Sequence, residues 1–174
     1  AGANVNAVAT NCNNLTPLHL ACAKGSTVAV ELLLDMGAGI DSETADGLTA
    51  LDKAVANNNK ACVDMLMEAS CDKDHQSKAS GKTALHWACF YKHVEIARLL
   101  VDCDADCTVK DILGQTPVDT ARLRNLDLKA IFGSQPSLLE SIVDNSTKEQ
   151  QEKEPKKPNA KRGRKRKSGN EEVA

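Results

Sequence analysis

The residues able to do chemistry in this chain are few and scattered, and their spacing argues against a catalytic centre. Of the four histidines, His75 falls at a predicted loop tip and His93 at a predicted helix start, neither with a cysteine or carboxylate at a zinc-site spacing. Seven cysteines form an odd set without a Cys-x-x-Cys pair, and several sit at small-residue positions inside predicted helices. Cys12, Cys103 and Cys107 are the candidates for exposed thiols, though nothing beside them marks a nucleophile. That usage fits a reducing compartment. Gly37-Ala38-Gly39 opens like a dinucleotide fingerprint, but it follows a helix rather than a strand and Ser42 stands where the third glycine belongs. A phosphate-cradling Gly-x-x-x-x-Gly-Lys-Ser/Thr and a Gly-x-Ser-x-Gly elbow are both missing. The acceptor patterns at Asn14 and Asn145 read as chance matches to a glycosylation signal. The expectation is no catalytic residue, no cofactor and no metal.

Charge is distributed unevenly. The formal net charge of −2 hides 10 basic and 6 acidic side chains in residues 144–174, against 12 basic and 18 acidic in residues 1–143. From Asp144 onward almost nothing is apolar, so that segment has no core to bury and is expected to be disordered. Pro155 to Lys167 holds eight basic residues among thirteen. Within it Lys161, Arg162, Arg164, Lys165, Arg166 and Lys167 form a run that fits an import receptor and hence a nuclear protein, or one shared between nucleus and cytoplasm. Arg162-Gly163-Arg164 also resembles the minor-groove core of an AT-hook, with Lys165 where that motif has proline. A plain solubilising or membrane-attracted charge run is the third reading. No stretch of 18 apolar residues exists to span a bilayer, and membrane association is not expected.

What positions the remaining side chains is a repeat. Thr16-Pro17-Leu18-His19, Thr49-Ala50-Leu51-Asp52, Thr83-Ala84-Leu85-His86 and Thr116-Pro117-Val118-Asp119 lie 33, 34 and 33 residues apart, a period that means a solenoid. Five residues after each threonine come Ala21, Ala54, Ala88 and Ala121, small enough for close helix approach. Two before each come Asn14, Gly47, Gly81 and Gly114, and nine after come Gly25, Asn58, Lys92 and Asn125, mostly types that tolerate a left-handed backbone. Each unit therefore reads as a turn, a short helix, a break and a second helix. In that second helix Val28, Leu32 and Leu33, then Ala61, Met65 and Leu66, then Ile96, Leu99 and Leu100 are expected to form the apolar face. Aromatic content of only 2% places the burial on aliphatic side chains, which suits small packed helices.

These residues resemble the ankyrin repeat family, whose Thr-Pro-Leu-His-x-Ala signature is met by Thr16 to Ala21 and nearly met by Thr83 to Ala88. The resemblance covers residues 1 to about 133 and implies an all-α ankyrin-repeat solenoid, four helix-turn-helix repeats with finger turns, followed by the basic tail. Residues 1–15 then match the tail of a preceding repeat, which predicts further repeats upstream in a longer parent protein. Repeats occupy 16–48, 49–82, 83–115 and 116–143, the last including a capping helix from Ser137 to Val143, and 144–174 is the tail with its basic cluster at 155–167. The family uses its motif histidine to hydrogen-bond turn backbone, the role implied for His19 and His86. Asp52 and Asp119 depart from that pattern, as does Lys53 at a leucine position, so those two units are expected to hold their turns less tightly.

Family members meet protein partners through the finger turns and the exposed side of the first helix, which line a concave face. Carried over, the fingers give Ala45, Asp46, Ala79, Ser80, Ile112 and Leu113, and the first helices give an aromatic pair, Phe90 and Tyr91, in the third unit alone. Lys82, Phe90, Tyr91, Ile112, Leu113 and Arg124 are the candidate protein-binding residues, since aromatic and arginine anchors dominate interface energetics. The competing expectation is that Phe90 folds onto Trp87 and Ile112 packs on the neighbouring turn, with Trp87 itself partly in the core. The resulting expectation is a monomeric scaffold or adaptor that binds another protein, in the nucleus. Alternatives are a cytoplasmic adaptor or effector, or the targeting module of a longer enzyme.

Overall fold

The computed structural model describes residues 4–9 and 13–135; the expectations for Cys12, the Ser137–Val143 helix and the basic tail fall outside them. Eight helices follow in pairs: α1 (Pro17–Lys24) with α2 (Thr27–Asp35), α3 (Ala50–Ala56) with α4 (Lys60–Glu68), α5 (Ala84–Tyr91) with α6 (Val94–Asp102), and α7 (Pro117–Leu123) with α8 (Leu128–Phe132). Among the described residues the one strand-like pairing is an isolated antiparallel bridge between Ala9 and Leu15. Helices this short are not stable alone in water, so each depends on its neighbours.

The start of every first helix is set by the repeated threonine. Thr16, Thr49, Thr83 and Thr116 hold extended backbone at the cap, and the side chain three residues on bonds back to the threonine amide. The end is set by a left-handed residue: φ is +72° at Gly25, +57° at Asn58, +63° at Lys92 and +55° at Asn125. Asn14, Gly47, Gly81 and Gly114 likewise have φ of +56°, +74°, +64° and +74°. At Gly47 the requirement is double, because a Cβ there would lie 2.5 Å from the Lys78 backbone nitrogen of the next finger.

Stacking produces two rows. α1, α3, α5 and α7 pack in succession, and α2, α4, α6 and α8 form the second row behind them. Between the rows lies the core, with Leu18, Leu51, Leu85 and Val118 from the first helices and Val30, Val63, Leu66, Ile96, Leu100, Ile131 and Phe132 from the second. Full burial of each such side chain is worth about 1.5–3 kcal/mol. The expected second-helix face holds in α6, where Ile96 and Leu100 are buried, but is out of phase at the start of α2 and α4. Val28 and Leu32 are 76% and 58% exposed and Ala61 is exposed, whereas Val30 and Cys62 with Val63 are buried. Both phases satisfy a three-and-four spacing in so apolar a helix; only the position of the first row selects between them.

Adjacent units are also joined by a backbone ladder along the fingers: Ala45 N donates to Asn13 O, Ala79 N to Asp46 O and Ile112 N to Ser80 O, each at 3.1 Å. At the opposite loops Asn6 Oδ1 accepts from Gly39 N (2.8 Å), Asp41 Oδ1 from Asp72 N (2.9 Å) and Asp74 Oδ1 from Asp106 N (2.7 Å). Polar contacts thus repeat with the period of the sequence.

Candidate protein-binding surface

His19 and His86 hold turn backbone. His19 Nδ1 accepts from Thr16 N (3.2 Å) while Nε2–H donates to Leu48 O, just before the Thr49 cap of α3 (3.1 Å). His86 repeats this with Thr83 N (3.1 Å) and Gln115 O (3.0 Å). The arrangement needs a neutral ring with its proton on Nε2, and burial, the largest influence, holds both imidazoles below the usual histidine range. Asp52 and Asp119 accept from Thr49 N (2.9 Å) and Thr116 N (3.0 Å). Their turns are therefore closed, contrary to the expectation of loosening, but a carboxylate is too short to reach the next unit. Burial pushes Asp52 up to about 6, against the pull of hydrogen bonds from Thr49.

The cysteines divide by burial. Cys22, Cys62, Cys89 and Cys107 are buried, Cys71 is half-buried and Cys103 is exposed; all six are free thiols. Desolvation raises Cys22, Cys71 and Cys89 to about 12 and Cys107 to about 11, which keeps them protonated and poor nucleophiles. Cys107 is accordingly not the exposed thiol the sequence allowed. His, Cys, Asp and Glu side chains form no metal-holding cluster among the described residues.

The third unit carries a connected aromatic surface. Trp87 stacks on Tyr91 at 5.9 Å, Phe90 meets Trp87 edge-on at 6.1 Å and Tyr91 at 5.2 Å, and Tyr91 in turn stacks on His93 at 5.9 Å. Arg124 lies over the Phe90 ring at 4.1 Å and its Nε donates to Phe90 O at 2.8 Å. That contact joins the fourth unit to the third and fixes the guanidinium, a cation–π pairing with a built-in hydrogen bond. Phe90 does fold onto Trp87, as the competing expectation had it, while Tyr91 stays 43% exposed.

Lys82 forms a largely buried ion pair with Asp111, and its ammonium sits 6.0 Å from the Trp87 ring centre. Burial alone would raise the Asp111 carboxyl, but the Lys82 ammonium and the amides of Gln115 and Leu113 (both 2.9 Å) outweigh it and hold it below the ordinary aspartate range. Those amide bonds shape the finger that carries Ile112 and Leu113, 69% and 71% exposed. Ile112 also lies against Gly81 of the adjacent finger. The six candidates thus fall into two groups, Phe90, Tyr91 and Arg124 on the first-helix side and Ile112 with Leu113 on the finger, bridged by Lys82 through Asp111.

Sequence reasoning left one feature out. Leu48, Asp52, Lys53, Ala56, Trp87 and Tyr91 enclose a mostly apolar cleft of about 120 Å³ between α3 and α5. Trp87 Nε1, though buried, has no acceptor among the described residues. The signal available beforehand was Lys53 and Trp87 sharing the position four residues after their threonines.

A helical-repeat solenoid with one dressed face belongs to the class of protein-interaction modules. Two family models match, ankyrin repeats in three copies over residues 1–77 and a single ankyrin repeat over residues 80–112, and the chain belongs to the ankyrin repeat family. The α7/α8 pair lies beyond both matched ranges and is recognised by its geometry. Among curated proteins the chain is 37% identical over 127 residues to the nuclear factor NF-kappa-B p105 subunit of Gallus gallus, covering 70% of this chain and 12% of that protein. It is 32% identical over 123 residues to inversin of Mus musculus (70% and 11%) and 36% identical over 134 residues to a B-cell lymphoma 3 protein homolog of Mus musculus (72% and 30%). The chain thus spans between about a tenth and a third of the length of these relatives.

Proposed function

We propose that this chain works by binding rather than catalysis, as a monomeric scaffold or adaptor that captures a partner protein on its concave ankyrin surface in the nucleus. The observation that carries the binding surface is the aromatic cluster of Trp87, Phe90 and Tyr91 with Arg124 locked over Phe90, on the exposed side of α5. Rigid aromatic and arginine side chains supply large contact area at small entropic cost, which is why they dominate interface energetics. The apolar finger at Ile112 and Leu113 extends that area.

Nuclear residence is supported by the basic run Lys161 to Lys167 as a segment for an import receptor, with nucleic acid as the weaker alternative. Similarity to a nuclear factor subunit runs in the same direction. Affinity capture in cells tests both parts together, comparing the wild type with a Phe90→Ala/Tyr91→Ala double variant, each with and without residues 161–167. The expected result is loss of the captured partner in the double variant, with its helical circular dichroism retained, and loss of nuclear capture when the run is removed. An unchanged partner set in the double variant overturns the surface.

A further inference from the structure

The two rows of helices differ in charge. The first-helix row, with the residues that end it, carries Lys24, Lys53, Lys92, Arg122 and Arg124 against Asp52 and Asp119, and Asp52 is buried. The second row carries Glu31, Asp35, Asp64, Glu68, Glu95 and Asp102 against Lys60, Arg98 and Lys129. Lys60 and Arg98 are already paired with Asp64 (3.3 Å) and Asp102 (3.7 Å). Lys24, Lys53 and Lys92 make no ion pair among the described residues. An acidic segment is therefore drawn to the first-helix face and repelled from the other.

On that face the α3/α5 cleft combines a small volume, an apolar wall and a lysine. Its volume of about 120 Å³ is smaller than the roughly 150 Å³ cavity that holds a benzene molecule, so it takes one aliphatic side chain. Its wall is mostly apolar, formed by Leu48, Ala56 and the rings of Trp87 and Tyr91. Lys53 also lines it, next to the buried Asp52, and its ammonium makes no ion pair among the described residues.

We propose that the α3/α5 cleft receives an acidic, extended segment of the partner protein: one leucine-like side chain fills it against the Trp87 and Tyr91 rings, and flanking carboxylates meet Lys53 and Lys92. This rests on the first-helix face being the binding surface and adds the chemistry of what binds there. The cleft lies beside Tyr91, which lines it, so the same aromatic cluster supplies contact area and pocket wall.

Trp87 is the single tryptophan of the chain, so its emission reports the cleft directly. The test titrates the full chain with a synthetic twelve-residue peptide of glutamate and serine around one central leucine. Control peptides replace that leucine by serine or every glutamate by lysine. A saturable shift in Trp87 emission is expected, with affinity falling at least tenfold for the serine peptide, for Lys53→Glu, and on raising salt from 50 to 300 mM. No shift with the leucine peptide, or an equal shift with the lysine peptide, overturns the proposal. If the peptide fails while the Phe90/Tyr91 double variant still loses its captured partner, the acidic anchor is wrong and the surface stands. If neither responds, both fall.

Discussion

The junction between α1/α2 and α3/α4 and the junction between α3/α4 and α5/α6 have the same helices, the same left-handed turns and the same threonine caps. One difference between them is the side chain three residues after the threonine. At the first, His19 closes its own turn and crosses to Leu48 O, which also accepts from Thr44 N, so both lone pairs are used. At the second, Asp52 closes the turn only, and among the described residues Lys82 O accepts from Ser77 N alone. The third junction returns to the first pattern, with His86 and Asp111 N both on Gln115 O. A histidine is long enough to have two jobs and an aspartate has one. The middle junction relies instead on apolar packing, the finger ladder, the His75 Nε2 bond to Gly47 O (3.1 Å) and the Lys78–Glu43 ion pair, and it is also where the α3/α5 cleft opens.

The largest effect that separates the two junction types is expected from alanine substitution. His86→Ala removes a fully buried side chain, strips Thr83 N of its acceptor and Gln115 O of one donor, and should cost about 3 kcal/mol. Asp52→Ala removes one turn acceptor and also a buried carboxylate, so it should cost about 1 kcal/mol. Urea unfolding followed by circular dichroism measures both, and equal costs would mean that the cross-junction bond contributes nothing. Next in size is the finger. Gly47→Ala combines a φ of +74° with a Cβ 2.5 Å from Lys78 N, whereas Gly114 has the same φ and open space around it. The first should cost about 2 kcal/mol or more and the second about 1 kcal/mol. Matching losses in melting experiments would show that backbone strain alone, without crowding by the next finger, sets the cost.

Sequence spacing alone made the helix pairs, the caps and the turns legible, because each rests on a local rule: a threonine to cap, a glycine or asparagine to turn left-handed, an alanine to permit approach. The phase of α2 was not legible. Thr27 to Met36 is apolar on nearly every side, and Val28 and Leu32 fit a helical stripe as well as Val30 does. The aromatic pair at Phe90 and Tyr91 could be placed on the outer side of α5 by counting from Thr83, but its link to Arg124 depends on a contact 34 residues away in the chain. The Lys82–Asp111 pair was hidden for a related reason, since it crosses between fingers that sequence patterns treat one at a time. The cleft was least legible of all: it is space between side chains, and no residue type announces it.

The smallest effect separates the two junction types by pH. Burial lowers the proton affinity of folded His19 and His86 below the usual value near 6.5, so the unfolded chain binds more protons and stability rises with pH. Their contribution is complete above about pH 6.5 and is lost as pH falls through the depressed folded values. Asp52 has the opposite sign. Its folded value of about 6 lies above the ordinary 3.8, so its contribution is complete below that ordinary value and lost as pH rises through about 6. Between pH 6.5 and 4 the aspartate junction therefore gains on acidification what the histidine junctions lose. Asp52→Asn keeps an oxygen acceptor for Thr49 N and removes the titration. It should raise stability at pH 7.5 by about 1 kcal/mol and make the decline on acidification steeper than in the wild type. Urea midpoints at half-unit steps from pH 7.5 to 4.5 measure this, and parallel curves for the two proteins would show that the buried carboxylate is ionised at no cost and that the junctions do not differ in this respect.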